Sequence, residues 1–276
     1  MGRVAGKVAL ISGVARGQGR SHAVRLAEEG ADIIGFDVCA DLGSVAYPLA
    51  TPEDLEETKL LIEKHGRRAF LRRADVRDIA AVKTVINEGV AEFGRLDIVL
   101  ANAGIMPTVG EQCTTDEAFY DSVQIMLNGV YNTVHPAIPH IKAAGNGGSV
   151  VITSSTAGLR GTGDGTSGVL GYVAAKHGVV GLMRAWANAF AKDNIRFNTV
   201  HPTGVNTPMI DNEAFRDFVA QHPEIVDNLQ NPLWIPEAGM LEASDVTNLV
   251  MHLVSPEGRY TTGATMTVDA GFTNKV

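Results

Sequence analysis

Cysteine is scarce in this sequence: Cys39 and Cys113 are the only two in 276 residues. They form neither a CxxC pair nor a metal-type spacing. This excludes a disulfide framework and a thiolate metal site, and it fits reduced thiols in a cytoplasmic protein. Long apolar runs are also missing. No stretch reaches membrane-spanning length, and no apolar core precedes a small-residue cleavage site, so neither a span nor a secretory signal is expected. Met1-Gly2 opens like a myristoylation site, but Gly6 stands where that signal needs Ser or Thr. Positive charge is in deficit, with a net charge of -8. A surface of that sign repels phosphate backbones and anionic bilayers, so neither nucleic acid nor membrane is an expected partner. The eight histidines contain no HExxH. His135 and His140, five apart and flanking Pro136 and Pro139, do not make a metal pair, and no metal is expected. Tandem repeats and low-complexity linkers are absent too.

The composition that remains, 45% apolar and 20% charged, is that of a globular chain able to bury a large core. Short apolar runs at Val8–Ile11, Ile33–Phe36, Ile98–Ala101, Val150–Ile152, Arg196–Val200 and Thr265–Val268 are bounded by Gly, Asp, Asn or Ser. They read as buried parallel strands. The segments between them are long enough for helices. Thr51 with Pro52 predicts a capped helix start, Thr114 to Glu117 a capping box, and Ser244 the cap of a helix running to Val254. Strand–helix alternation over residues 1–276 predicts one α/β domain, a Rossmann-type doubly wound parallel sheet flanked by helices. Two stretches break the rhythm. Residues 38–50 form a long connection after the second strand, and residues 204–242 form an apolar excursion with Met209, Phe215, Phe218, Leu233, Trp234 and Met240.

After the first strand comes Gly13-Val14-Ala15-Arg16-Gly17-Gln18-Gly19. A strand, a glycine turn and a helix start together bring backbone N–H groups close to a pyrophosphate. The GxxxGxG spacing departs from the usual fingerprint. Asp37 ends the second strand, eighteen residues after Gly19. A carboxylate there accepts hydrogen bonds from ribose hydroxyls and repels a 2′-phosphate, which favours NAD over NADP. Arg16 points the other way, since a basic loop residue can meet that phosphate.

Tyr172 and Lys176 are four apart and share a helix face. A free phenol has a pKa near 10; an adjacent ammonium lowers it, fitting the tyrosine to exchange a proton with an alcohol. Ser154 and Ser155 end a strand at the carboxyl edge of the sheet, where ligands bind in this architecture and a hydroxyl can hold a reacting oxygen. Asn102 ends another strand, and Asn128 sits inside a helix, where Asn is unfavourable.

In this order, Gly13/Gly17/Gly19, Asp37, Asp75-Val76, Asn102-Ala103-Gly104, Asn128, Ser155, Tyr172, Lys176 and Pro202-Thr203-Gly204 resemble the short-chain dehydrogenase/reductase family over nearly the whole chain. The resemblance implies an NAD-dependent alcohol dehydrogenase or carbonyl reductase, assembled as a homotetramer. It makes Tyr172 the acid/base and gives Lys176 the nicotinamide ribose and the depression of the Tyr172 pKa. Ser155, in preference to Ser154, binds the substrate oxygen, and Asn128 holds a water in a proton relay to Lys176. Arg16, Gln18 and Val38 join the cofactor contacts; Asp75 and Val76 flank the adenine; Asn102, Ala103 and Gly104 line the adenosine side. Val205 and Thr207, after Pro202, reach the carboxamide. There are departures: Ser12 replaces Thr, Ala101 replaces Asn, and Tyr172 follows Ser155 by seventeen residues through a glycine-rich insertion, 161–165, that has to loop out.

Residues 38–50 followed by Pro52-Glu53-Asp54-Leu55 further resemble the subgroup linked to the redox peptide mycofactocin, which includes carveol-dehydrogenase-like enzymes of actinobacteria. That implies tightly held NAD and a mycofactocin-type electron acceptor. Val38, Val45, Tyr47 and Leu49 are apolar for a surface loop. They fold over the adenosine end on one reading and pack on a neighbouring helix or subunit on another. The 204–242 excursion reads as a lid over a small hydrophobic, terpene-like secondary alcohol or ketone, or as subunit interface. The rival functions are a dehydrogenase with freely exchanging NAD or NADP and a non-catalytic nucleotide-binding regulator.

Overall fold

All six expected strands lie in one parallel sheet, joined by a seventh. Its members are β1 (Val8–Ser12), β2 (Asp32–Asp37), β3 (Ala69–Arg73), β4 (Ile98–Ala101), β5 (Gly148–Thr153), β6 (Ile195–Pro202) and β9 (Thr265–Val268). The order is β3-β2-β1-β4-β5-β6-β9, and every pair is parallel. β7 (Val205–Asn206) and β8 (Leu241–Glu242) form a separate short ladder. The computed structural model describes residues 2–223, 230–233, 235 and 239–275, so Trp234 lies outside the described residues.

The helices are α1 (Gly17–Glu28), α2 (Pro52–Glu63), α3 (Ile79–Phe93), α4 (Asp116–Val123), α5 (Gly129–Val134), α6 (Ile138–Ala144), α7 (Ser167–Ala189), α8 (Glu213–Gln221) and α9 (Ala243–Val254). α1, α2 and α9 cover one face of the sheet, while α3, α5 and α7 cover the other. Central strands covered on both faces have to be apolar throughout, and every residue of β1 and β4 is buried. β3 escaped notice because it is an edge strand: only Leu71 is buried, and Arg72 and Arg73 are exposed. The chain moves outward from β1 to β3 and then returns to place β4 on the other side of β1. That reversal opens a crevice at the carboxyl ends of β1 and β4, where this architecture binds ligands.

The helix starts need two corrections. Thr51 caps α2 as expected, accepting from Asp54 N at 3.2 Å while the Asp54 carboxylate accepts from Thr51 N at 2.9 Å. On α4 the cap is Thr115, whose hydroxyl accepts from Ala118 N; Thr114 instead closes a preceding 3-10 turn. On α9 the cap is Glu242 in a reciprocal box with Asp245, so the helix starts one residue before Ser244. A carboxylate reaches the first-turn N–H groups there and leaves Ser244 inside the helix.

His22 ties α1 to α9. Its Nδ1 lies 2.7 Å from Thr247 Oγ1, whose own proton goes to Ala243 O. Nδ1 therefore carries the ring proton, and Nε2 is buried without a hydrogen-bond partner. Burial pushes His22 from 6.5 down to about 4. The unfolded chain takes up this proton below pH 6.5 and the folded chain only near pH 4. This part of the stability is complete above pH 6.5 and falls by on the order of 3 kcal/mol as pH drops through the window. His22→Leu is expected to flatten that fall, as read from melting temperatures at about pH 5 and about pH 7.5. An unchanged difference between the two pH values would exclude His22 as the source.

Candidate active site

The nucleotide end begins where β1 stops. Gly13 has φ +69°, and a Cβ there would stand 2.7 Å from Ala103 Cα. Gly17, at φ +55°, opens α1. The backbone thus forms a cradle that side chains would fill, facing the first turn of a helix with no acidic residue in that turn. Gly19 does different work: a Cβ on it would strike the Gly13 carbonyl, so it lets α1 pack onto the loop and does not line the cleft. Gln18 lines the cleft, and its buried Oε1 has no protein partner. Ser12 keeps the role of the expected Thr, accepting from Asn102 N and Ala103 N. Asn102 in turn donates to the Ser12 and Gly13 carbonyls, which fastens β4 to the glycine loop.

Asp37 lines the same cleft at the end of β2, next to Val38. Burial pushes its carboxyl above the ordinary value, opposed by N–H bonds from Ala15, Cys39 and Val38. Arg16 lines the cleft as well, and its guanidinium donates to Pro48 O at 2.7 Å. Asp75 is engaged by the Arg77 guanidinium. Val76 and the backbone-lined strip Asn102 to Gly104 complete this end.

The other end is built on α7. Lys176 is buried one turn beyond Tyr172, with Nζ 5.6 Å from the Tyr172 ring centroid and donating to Thr153 O at 2.9 Å. The Tyr172 hydroxyl is hydrogen-bonded to Ser155, whose Oγ also accepts from Ala157 N. Ser154 is committed elsewhere, donating to Lys176 O at 2.9 Å. The structure thus separates the two serines and puts Ser155 beside Tyr172. The residues 161–165 are exposed and loop out, as the spacing demanded. Tight backbone approaches set the position of α7. A Cβ on Gly168 would strike Pro107 O, and one on Gly171 would come 2.7 Å from Phe119 O.

Burial moves both groups of the pair. Lys176 falls to about 8. Tyr172 is raised, with burial outweighing the Ser155 hydrogen bond that lowers it. The expected depression of the phenol by Lys176 is therefore absent from the protein alone: the ammonium points at Thr153 O, and desolvation of the phenol dominates.

Three more expectations need correction. Asn128 does not face Lys176. It ends a π-helical turn, Gln124–Asn128, is exposed, and donates to Gln124 Oε1 at 2.9 Å. Pro202 and Val205 are buried and do not line the cleft, since Val205 is paired with Leu241 in the small ladder. From that segment the expected Thr207 does line the cleft, together with Pro208 and Met209. Leu233, expected in the lid, is exposed.

The 38–50 insertion crosses the cleft. Leu42, Tyr47, Leu49 and Ala50 line it. On the far side Tyr47 Oη accepts from Met106 N at 2.9 Å, and Ser44 Oγ donates to Asp121 Oδ2 on α4 at 2.7 Å. The loop thus lines the cleft and also packs on a neighbouring helix, α4. Leu42, Thr153 and Met126 had no sequence signal of their own. Among the described residues no helix is long and apolar enough to cross a membrane.

The chain is similar to known proteins over nearly all of its length. A family model described as enoyl-(acyl carrier protein) reductase matches residues 13–273. The (-)-trans-carveol dehydrogenase of Rhodococcus erythropolis is 47% identical over 285 residues, covering 100% of both chains. The cyclohexanol dehydrogenase of an Acinetobacter species is 33% identical over 98% of this chain and 96% of its own. The crystal structure of carveol dehydrogenase from Mycobacterium avium in complex with NAD superposes with a TM-score of 0.92, at 43% identity and 100% coverage of each chain. Likeness of this extent goes beyond shared architecture: the chain belongs to the short-chain dehydrogenase/reductase family.

Proposed function

We propose that the protein moves a hydride between NAD held in this cleft and a secondary alcohol or ketone on a cyclic, hydrophobic, terpene-like skeleton. The observation that carries the reading is the Tyr172–Ser155 hydrogen bond with Lys176 one helical turn away, at the end of a cleft that starts in a glycine cradle. The cradle, the unpartnered Gln18 Oε1 and Asp37 at the strand end fit a dinucleotide. When bound, NAD supplies the carbon that accepts the hydride. Asp37 would hold the adenosine ribose, the N–H groups of the first turn of α1 would receive the pyrophosphate, and Lys176 would hold the second ribose. Tyr172 takes the alcohol proton as the hydride departs, and returns it in the reverse direction. Ser155 holds the substrate oxygen while its charge changes. The carveol and cyclohexanol dehydrogenases among the relatives, and the apolar Met209 at the cleft, support the substrate class.

The same reading includes tightly held NAD beneath the 38–50 insertion, a mycofactocin-type acceptor for its electrons, and a homotetramer. Denaturing the purified protein without added nucleotide is expected to release near-stoichiometric NAD or NADH, identified by mass. An empty protein would instead favour the exchanging dehydrogenase. Turnover of apolar secondary alcohols is expected to exceed that of sugars, and the opposite order would sink the substrate assignment. Asp37→Asn is expected to weaken NAD binding by roughly tenfold and to narrow the preference over NADP, because the repelling charge is gone. Titration of the stripped protein with both nucleotides reads this, and an unchanged ratio would remove Asp37 from the ribose role.

A further inference from the structure

On the side of Lys176 that faces the α4–α5 connection, the atoms nearest the space above Gly104 belong to Met126. The π-helical turn Gln124–Asn128 places one extra residue in its loop, closing with Gly129 N–H on Gln124 O. Such turns are frequent at functional sites. Here Asn128 points outward to Gln124 and Met126 inward, where Met126 is 1% exposed. A Cβ built on Gly104 would stand 3.5 Å from Met126 Sδ and 3.8 Å from Lys176 Nζ. The space above Gly104 is therefore about one methyl group wide, with the thioether on one wall and the ammonium on another. A buried water needs two to four polar partners. Of the nearest side-chain groups, Met126 and Lys176, the ammonium is the strong partner and the thioether a weak acceptor.

We propose that Met126 is a positioning residue that acts through Lys176: its thioether shuts water out of the space above Gly104 and keeps the ammonium dry on that side. The chain thereby lacks the amide-held water that the family resemblance implies at this point. The proposal rests on the catalytic reading of Lys176. The lowered Lys176 value, assigned to burial without any ion pair, agrees with it. The titratable groups around Lys176 are few. Tyr172 lies on the same helix and helps raise Tyr47 of the insertion. His201 on β6 is held low by burial and also by the Lys176 charge. Thr153 on β5 presents only its carbonyl. None of these supplies a carboxylate.

The test is a direct titration of Lys176 by NMR of protein labelled at the lysine side chains, purified with whatever nucleotide it retains. The Lys176 signal is assigned by its loss in Lys176→Met. Met126→Asn is expected to raise the Lys176 pKa by at least about one unit, because an amide admits a water and relieves desolvation. The alkaline limb of turnover is expected to move up with it. Met126→Leu, apolar and of similar volume, keeps the parent titration. Gly104→Ala fills the gap with a methyl group and also leaves the titration in place. An unmoved Lys176 in folded Met126→Asn overturns the proposal. If Met126→Asn does not fold, Gly104→Ala decides: a further drop in the Lys176 pKa would mean that a water had occupied the gap. The titration needs no turnover, so a protein inactive on every alcohol would defeat the catalytic reading and leave this result standing by itself.

Discussion

Tyr172→Phe is expected to lower turnover of an apolar secondary alcohol by about three orders of magnitude, within the range that general acid–base catalysis contributes. The phenol is half-buried and bonded to Ser155, so removing its oxygen deletes the proposed proton acceptor while the ring still fills its place. Fold and nucleotide content are expected to stay as they are. Ser155→Ala is expected to cost less, on the order of 10²-fold, because one hydrogen bond to the reacting oxygen is lost and the proton acceptor remains. Ser154→Ala removes the bond to Lys176 O and is expected to cost about 1 kcal/mol of stability, with a small effect on turnover. Steady-state kinetics and thermal melts on the three variants separate these outcomes. A Tyr172→Phe protein that kept its activity, or kept a regulatory effect with no activity to lose, would return the chain to the non-catalytic rival. Equal losses for Ser154→Ala and Ser155→Ala would undo the distinction between the two serines.

How legible this site was depended on whether a residue's neighbours in space are also its neighbours in sequence. Tyr172 and Lys176 share a helix face through local spacing alone, and Asp37 sits where its strand ends. The central strands announced themselves because burial on both faces leaves little room for polar residues. β3 did not, since an edge strand can carry Arg72 and Arg73 to solvent. Asn128 misled because a residue's direction on a helix depends on the local turn. Asn128 lies two positions beyond Met126 and so on the opposite face of the turn, and a lone Asn in a helix carries no sign of which face looks into the cleft. Thr153 was invisible for another reason, since it serves Lys176 through its carbonyl and any residue type would do so. Gly168 and Gly171 look like poor helix residues until α7 is seen pressed against Pro107 and Phe119.

Cutting the anchors of the 38–50 insertion is expected to release the nucleotide. The insertion leaves the end of β2 beside Asp37 and crosses the cleft. Arg16 holds it on the near side through Pro48 O. Ser44 to Asp121 and Tyr47 to Met106 hold it on the far side, at 2.7 and 2.9 Å. Leu49 N also donates to Asp41 Oδ1 at 2.7 Å, which closes the loop on itself. A hydrogen bond to a charged group contributes about 1.5–3 kcal/mol and a neutral one about 1 kcal/mol. Losing both far-side bonds in Asp121→Ala/Tyr47→Phe should therefore speed nucleotide exchange roughly 10²-fold. Asp121 also pairs with Arg77, but Arg77 keeps its two bonds to Asp75, so the adenine side is not left with a loose cation. Ser44→Ala alone should give roughly a tenfold change, since it removes one bond and leaves the Tyr47 ring in place. Exchange is measured by mixing the protein with excess isotopically labelled NAD and following the mass of the bound nucleotide over time. Exchange that is slow in the parent and fast in the double variant places retention in the loop. Exchange equally slow in both would mean that the glycine cradle and Asp37 hold the nucleotide without the insertion's far-side anchors. Rapid exchange in the parent would show that these anchors do not close the cleft, whatever they contribute to packing against α4.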